Sequence, residues 1–335
     1  VLQTFNYLSR SYFMNIYTDY LGIDISKETF DVINKEGKHL KYCNNNKGFL
    51  RFCKVIPKGS LCVMEVTGIY HLCLAKFLYS KGIAVSVVNP LRIKRFSQMH
   101  LRRNKTDKAD AQIISLYAKK QELELWSPAP PVIEQSKDIY QIMEQYIEFR
   151  AGLKNKLDAL KSKDAPGKLI ESIVSQIDHI TGSINELQTE LDEYIAGYNP
   201  VMLSNITSIV GIGQRTAALL IVATEGFKNF DNAKQLCSFF GLAPTQTSSG
   251  TSVKGKSKIS KMGNPLVRKK LYMCSLQGSR YNKACIDLYQ RLLAKGKPKK
   301  VALIAVANKL LKIVFAIAKS GLPYDREYMS YIASK

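Results

Sequence analysis

Tyr20-Leu21-Gly22-Ile23-Asp24-Ile25 reads as a β-strand with a carboxylate in the middle of it. A charge inside an apolar strand is costly unless a partner compensates it, so Asp24 marks a built site. Working outward, a second apolar run, Leu61-Cys62-Val63-Met64-Glu65-Val66, is interrupted by Glu65. Asn104-Lys105-Thr106-Asp107-Lys108-Ala109-Asp110 then sets Asp107 and Asp110 three residues apart, a spacing that puts both on one helical face. Were the two strands neighbours and the helix laid across their ends, the four carboxylates would converge. A divalent cation shared among them is one compensating partner, and an all-oxygen donor set selects magnesium or manganese over zinc. Two such ions would stabilise the attacking and leaving oxygens of a phosphoryl transfer. Plain structural uses stand beside this reading: Asp107 capping its helix behind Thr106, or Glu65 paired with an arginine. Asp24 has the fewest such uses.

The first third of the chain alternates strand and helix patterns. Strands are expected at 16–25, 30–34, 39–43, 61–66 and 84–88, and helices at 47–55, 70–81 and 107–120. That β-β-β-α-β-α-β-α order suits a mixed sheet flanked by helices over 15–127, behind a leader at 1–14. Pro128, Pro130 and Pro131 open a helical region spanning 128–198. Within it Ile170, Ile173, Ile177, Ile180, Ile184, Leu187, Leu191 and Tyr194 alternate spacings of three and four, an a/d heptad seam. A helical hairpin packed on itself and a coiled coil between protomers both fit that seam. Residues 199–330 read as a mainly helical domain. Its segment 206–221, with Gly211 and Gly213 at the turn, has the form of a helix-hairpin-helix, in which free N–H groups at a helix start attract phosphate.

The net charge of +22 is unevenly spread: 20 Lys/Arg against 10 Asp/Glu over 1–125, 7 against 12 over 126–197, and 22 against 5 over 198–335. Basic, acidic and very basic thirds point to a polyanionic partner, most simply nucleic acid. Seven cysteines without a C-x-x-C pair fit free thiols in a reducing compartment. Four scattered histidines argue against a zinc site. Residues 1–20 lack the basic start and apolar core of a signal peptide. The apolar stretch 301–318 carries Asn308, Lys309 and Lys312, which argues against a membrane span.

A second constellation runs from Thr245 to Asn264, where serines and threonines mix with Lys254, Lys256, Lys258 and Lys261, and Arg268, Lys269 and Lys270 follow. Over 254–300 there are 14 basic residues and one acid, Asp287. One reading is a solvated phosphate-binding loop. The other makes one hydroxyl a nucleophile amid cations, although no neighbouring histidine offers itself as base.

Taken in order, these motifs resemble one family. Gly22-Ile23-Asp24-Ile25-Ser26-Lys27, Glu65-Val66-Thr67-Gly68-Ile69-Tyr70, Val88-Asn89-Pro90 and Arg103-Asn104-Lys105-Thr106-Asp107-Lys108-Ala109-Asp110 resemble the DEDD transposases of the IS110 insertion-sequence family, with the Piv-type DNA invertases as relatives. Val210-Gly211-Ile212-Gly213, Phe240-Gly241-Leu242-Ala243-Pro244, Ser249-Gly250-Thr251-Ser252-Val253-Lys254-Gly255 and Ser260-Lys261-Met262-Gly263-Asn264 carry the likeness to about residue 325. It implies an α/β RuvC-like (RNase H-type) mixed-sheet domain, a helical coiled-coil hairpin, and a mainly α-helical transposase domain. Asp24, Glu65, Asp107 and Asp110 match the metal-binding tetrad, and Ser249 matches the nucleophilic serine. The resemblance further implies magnesium or manganese, target and donor DNA, a non-coding bridge RNA, a homo-oligomer (dimer or tetramer) with active sites shared among protomers, no membrane, and a cytoplasmic, nucleoid-associated place in a bacterium. The nearest alternative is a RuvC-like junction nuclease with water as nucleophile. An actin-fold kinase and a non-catalytic binding protein are more distant ones.

Overall fold

The computed structural model describes residues 17–34, 36–66, 68–100, 106–245 and 258–327, together with the backbone of 248–249 and 253–254. The expected leader at 1–14 and Lys256 lie outside the described residues. The chain divides into two compact units, Val1–Pro128 and Ala129–Lys335.

The first unit opens with β1 (Asp19–Ile25), β2 (Thr29–Ile33) and β3 (His39–Cys43), then α1 (Asn46–Cys53), β4 (Ser60–Glu65), α2 (His71–Ser80) and β5 (Ala84–Val88), and closes with α3 (Pro90–Met99) and α4 (Asp107–Lys120). The strands make one sheet in the order β3-β2-β1-β4-β5. Short polar turns build its antiparallel half. Ser26 Oγ donates to Thr29 O and accepts from Thr29 N, and Asn34 Oδ1 accepts from Lys38 N. The parallel pairs β1–β4 and β4–β5 need crossovers, which carry α1 and α2. The mixed sheet expected from the sequence is therefore present.

Period-two alternation gives the sheet two different faces. Leu21, Ile23, Ile25, Phe30, Cys62 and Met64 pack against Phe49 and Phe52 of α1 and Leu74 and Leu78 of α2. On the other face Leu61, Val63 and Val88 meet Ile93 and Phe96 of α3 and Ile113, Ile114 and Tyr117 of α4. Helix α3 was not among the expected elements, because Asn89-Pro90 reads as the end of a strand. It is also the start of a helix: Asn89 Oδ1 accepts from Leu91 N at 2.8 Å, and Pro90 takes the first helical position, where its missing N–H costs nothing.

Helix α4 lies directly on β1. A Cβ at Gly22 would overlap the backbones of Ala111 and Ser115, and Ser115 Oγ donates to Tyr20 O at 3.0 Å. Only glycine admits so close an approach, and it fixes the height of α4 above the strand.

The second unit begins with α5 (Pro131–Lys161) and α6 (Gly167–Tyr198), which pack along one another. Ile177, Ile184, Leu191 and Ile195 are the buried positions of α6, in the same core as Ile139, Tyr140 and Met143 of α5. α7 (Pro200–Thr207), α8 (Gln214–Thr224) and α9 (Ala233–Phe239) follow. A ribbon comes next, with β6 (Pro244–Thr245) paired to β9 (Lys258–Ile259) and β7 (Ser248–Ser249) paired to β8 (Val253–Lys254). α10 (Pro265–Tyr281), α11 (Lys283–Ala294) and α12 (Lys299–Ser320) complete it. α12 is long and apolar enough to cross a membrane by length and composition. It instead buries Ala302, Val306, Leu310, Leu311 and Val314 within the unit, against α7, α9, α10 and α11, and its Asn308 donates to Leu242 O.

Replacing Gly22 with alanine forces α4 off β1. The expected cost is about 3 kcal/mol, read as a lower urea midpoint for unfolding of the first unit.

Candidate functional site

Strand register alone lines up a row of charges. Asp24 is the cross-strand partner of Asp31 in the β1–β2 pair, and Asp31 is the partner of Lys41 in the β2–β3 pair. On the other side β1 and β4 run parallel with Ile23 beside Met64, so the next step along both strands brings Asp24 beside Glu65. Lys41, Asp31, Asp24 and Glu65 thus cross four strands in one line, about 4.8 Å per strand. Their alternation places them opposite the face carrying Ile23, Phe30 and Met64, which is the face that α3 and α4 cover.

Helix α4 brings the other two acids. Thr106 is its N-cap, its side chain accepting from Ala109 N at 3.2 Å, so the capping role considered for Asp107 belongs to its neighbour. Asp107 and Asp110 stand in the first turn, where the helix dipole favours negative charge. Their effect reaches Asp24, whose pKa is pushed up to about 6, first by burial and then by repulsion from Asp110, Asp107 and Asp31. A hydrogen bond from the Ile25 backbone opposes that shift. Asp107 and Asp110 are therefore near enough to act on Asp24, and the strand register sets Glu65 on the same face.

Asp31 is a fifth acid, which the sequence reading passed over. It is buried, 4% exposed, with His39 Nε2 2.6 Å from Oδ1 and Lys41 Nζ 3.5 Å from Oδ2. The same ammonium is 3.7 Å from Asp107 Oδ2. The signal was present in Phe30-Asp31-Val32, an acid between two core residues like Asp24.

The donor chemistry suits a hard divalent cation: carboxylate oxygens on one face, with Asp24 raised by burial and by its acidic neighbours. Among the described residues, however, no three acidic, histidine or cysteine side chains stand close enough together to hold an ion as arranged.

The remaining expected site residues lie in the second unit. Ser249 is on the β-ribbon, where its backbone pairs with Val253, and Lys254 pairs with Ser248. Thr245 Oγ1 donates to Lys258 O at the ribbon's base, and Lys258 and Lys261 are exposed. Arg268 is occupied in bracing that base, with Nη1 3.0 Å from both Phe240 O and Gly263 O. Lys270 Nζ is 2.6 Å from buried Glu144 of α5, and exposed Lys269 is 3.8 Å from Glu148. Gly211, at φ 104°, packs on α10, since a Cβ there would press on the Gly278 backbone. Gly213 is the exposed N-cap of α8, with open space around it.

Comparison with known proteins matches both parts of the chain. A transposase model of the DEDD IS110 type matches residues 21–161, and one described as "Transposase IS116/IS110/IS902 family" matches 203–290. The pilin gene-inverting protein of Moraxella bovis is 31% identical over 92% of this chain and 98% of its own length. The pilin gene-inverting protein of Moraxella lacunata is 30% identical over the same shares. The transposase for insertion sequence element IS1111A of Coxiella burnetii is 25% identical over 89% of this chain and 88% of its own.

The raised pKa of Asp24 has a direct consequence for stability. Its folded state holds a proton more tightly than the unfolded chain does, so the wild-type carboxylate weakens the fold as pH rises from 3.8 to about 6. In chelator at about pH 8, Asp24→Asn is expected to stabilise the first unit by about 1 kcal/mol after allowance for solvent screening. The gain opens across that window, is constant above it and vanishes below it; thermal melts from acid to mild alkali measure it.

Proposed function

The chain belongs to the family of IS110-type transposases and pilin gene-inverting proteins, and on that premise we propose that it exchanges DNA strands through a serine nucleophile and a divalent-cation centre. Asp24 and Glu65 at the ends of β1 and β4, with Asp107 and Asp110 on α4, are the residues that hold the cation. The observation that supports this reading is the crowding of carboxylates around Asp24, whose pKa is raised to about 6 first by burial and then by those neighbours. A fold keeps such mutual repulsion where the charge has a use.

When bound, magnesium or manganese supplies Lewis-acid polarisation of the scissile phosphate. Ser249 is the attacking group. Its Oγ–phosphorus bond forms as the bond from phosphorus to the 3′ oxygen breaks; the hydroxyl proton leaves, and the departing oxygen gains one. The 5′ phosphate is then held on the protein as an ester, and its attack by a second strand's 3′ hydroxyl restores a phosphodiester without ATP. Exposed Lys258, Lys261 and Lys269, with Lys254, Lys256 and the Gly213 turn, bind phosphate without reading bases. Arg268 and Lys270 support them by fixing the ribbon base and α10. Site choice is delegated to a bridge RNA paired with target and donor DNA, so the protein recognises backbone and duplex shape. A homo-oligomer brings the strands together, with the α5–α6 region as its contact. Inversion and transposition, the two activities in the relatives' names, are both outcomes of such exchange.

The test is a covalent trap: denatured protein from cells carrying the gene with its flanking DNA, digested with nuclease and examined by mass spectrometry. A nucleotide on Ser249 is expected. Ser249→Ala should abolish it, and Asp24→Asn should reduce it about a thousandfold. Free 5′ phosphates with no adduct would instead establish a hydrolytic nuclease using water.

A further inference from the structure

Lys41 holds a position that neither the tetrad nor the serine explains. Its Cα is the register partner of Asp31, which puts it at the end of the charged row through Asp31, Asp24 and Glu65. His39, two residues earlier and on the same side of β3, lies against Asp31 Oδ1. Lys41 is left with Oδ2 of Asp31 at 3.5 Å and reaches across to Oδ2 of Asp107 at 3.7 Å. One ammonium thereby joins the sheet row to the first turn of α4.

We propose that Lys41 is a built-in counter-cation of the carboxylate centre, joined to Asp31 and Asp107 and exchanged for a divalent cation at Asp107. This rests on the divalent-cation reading given above. An ammonium offers hydrogen bonds and a single charge; a divalent ion uses the same carboxylate lone pairs with twice the charge. Both contacts of Lys41 are at the long end of ion-pair range. Its side chain is 51% exposed and that of Asp107 is 69% exposed, so the bridge is easily undone. Asp31, 5% exposed at the side chain and held from both of its oxygens, does not move with it. Lys41 is therefore a positioning residue. It offsets part of the repulsion that α4 brings to the sheet, and its competition for Asp107 sets how tightly an ion is held.

The test titrates Mn2+ into the full chain without nucleic acid and follows free ion by electron paramagnetic resonance. Lys41→Met is expected to tighten binding about five- to tenfold by removing the competing charge, and Lys41→Gln should do the same. Lys41→Arg, which retains a cation, should stay within about twofold of the parent. Lys108→Met removes an equal charge one residue from Asp107 but no bridge of this kind, and should also change binding less than about twofold. Unchanged or weaker binding in Lys41→Met overturns the inference, as does an equal gain in Lys108→Met. If the parent shows no Mn2+ binding that Asp24→Asn removes, the cation reading and this inference fall together. Binding that depends on Asp24 but is indifferent to Lys41 overturns this inference alone.

Discussion

Backbone contact between α4 and β1 at Gly22 is the constraint from which the acidic face follows. A side chain there would lift the helix away from the strand. With glycine, Ala111 and Ser115 settle on the strand, Ser115 Oγ bonds Tyr20 O, and the first turn of the helix comes close enough for Asp107 and Asp110 to repel Asp24. Repulsion among the acids opposes that approach, offset in part by the Lys41 contact to Asp107. Apolar burial of Ile113, Ile114 and Tyr117 against Leu61, Val63 and Val88 supplies the driving force. The site is an expense carried by the core beneath it.

Cross-strand order determines how that expense is shared. Three acids stand side by side on β2, β1 and β4, an arrangement that like-charge repulsion disfavours. β3 offsets it at one end with His39 and Lys41, both on Asp31. Asp24 shares the middle of the row with the acids of α4 and bears the raised pKa. The uneven distribution is informative: Asp31 is braced, whereas Asp24 takes its largest shifts from burial and from negative neighbours.

Asp24 and Glu65 were legible in the sequence because each breaks an apolar run, and the pair 107/110 because three residues is a helical spacing. Asp31 escaped although its immediate neighbours are core residues, since a five-residue strand after a turn leaves too little pattern to tell an inward acid from a surface one. Helix α3 escaped because Asn-Pro serves equally as a strand stop and a helix start. Gly211 and Gly213 looked alike in a G-x-G turn, yet one packs on α10 and the other faces open space. That difference depends on Cys274 and Gly278, more than sixty residues further along the chain, which no local reading supplies. The heptad pattern of α6 announced an apolar seam, and α5 lies along it within the same chain.

Not every cation of the basic third faces outward. The basic third drew attention to a continuous run from Lys254 onward, as though each cation faced outward. Arg268 spends its guanidinium on two backbone carbonyls, and Lys270 sits on Glu144, an acid buried on α5. Removing Glu144 would strand a cation at a partly buried position, and removing Lys270 would strand a buried carboxylate, which is the more costly error. These two residues bind the acidic hairpin and the ribbon to α10 rather than advertising a surface. The cations free to meet a polyanion are therefore fewer than the net charge suggests; Lys258, Lys261 and Lys269 are among those that stay exposed. Basic residues in this unit thus also serve its fold: Arg268 fixes the ribbon's base, and Lys270 ties α10 to α5.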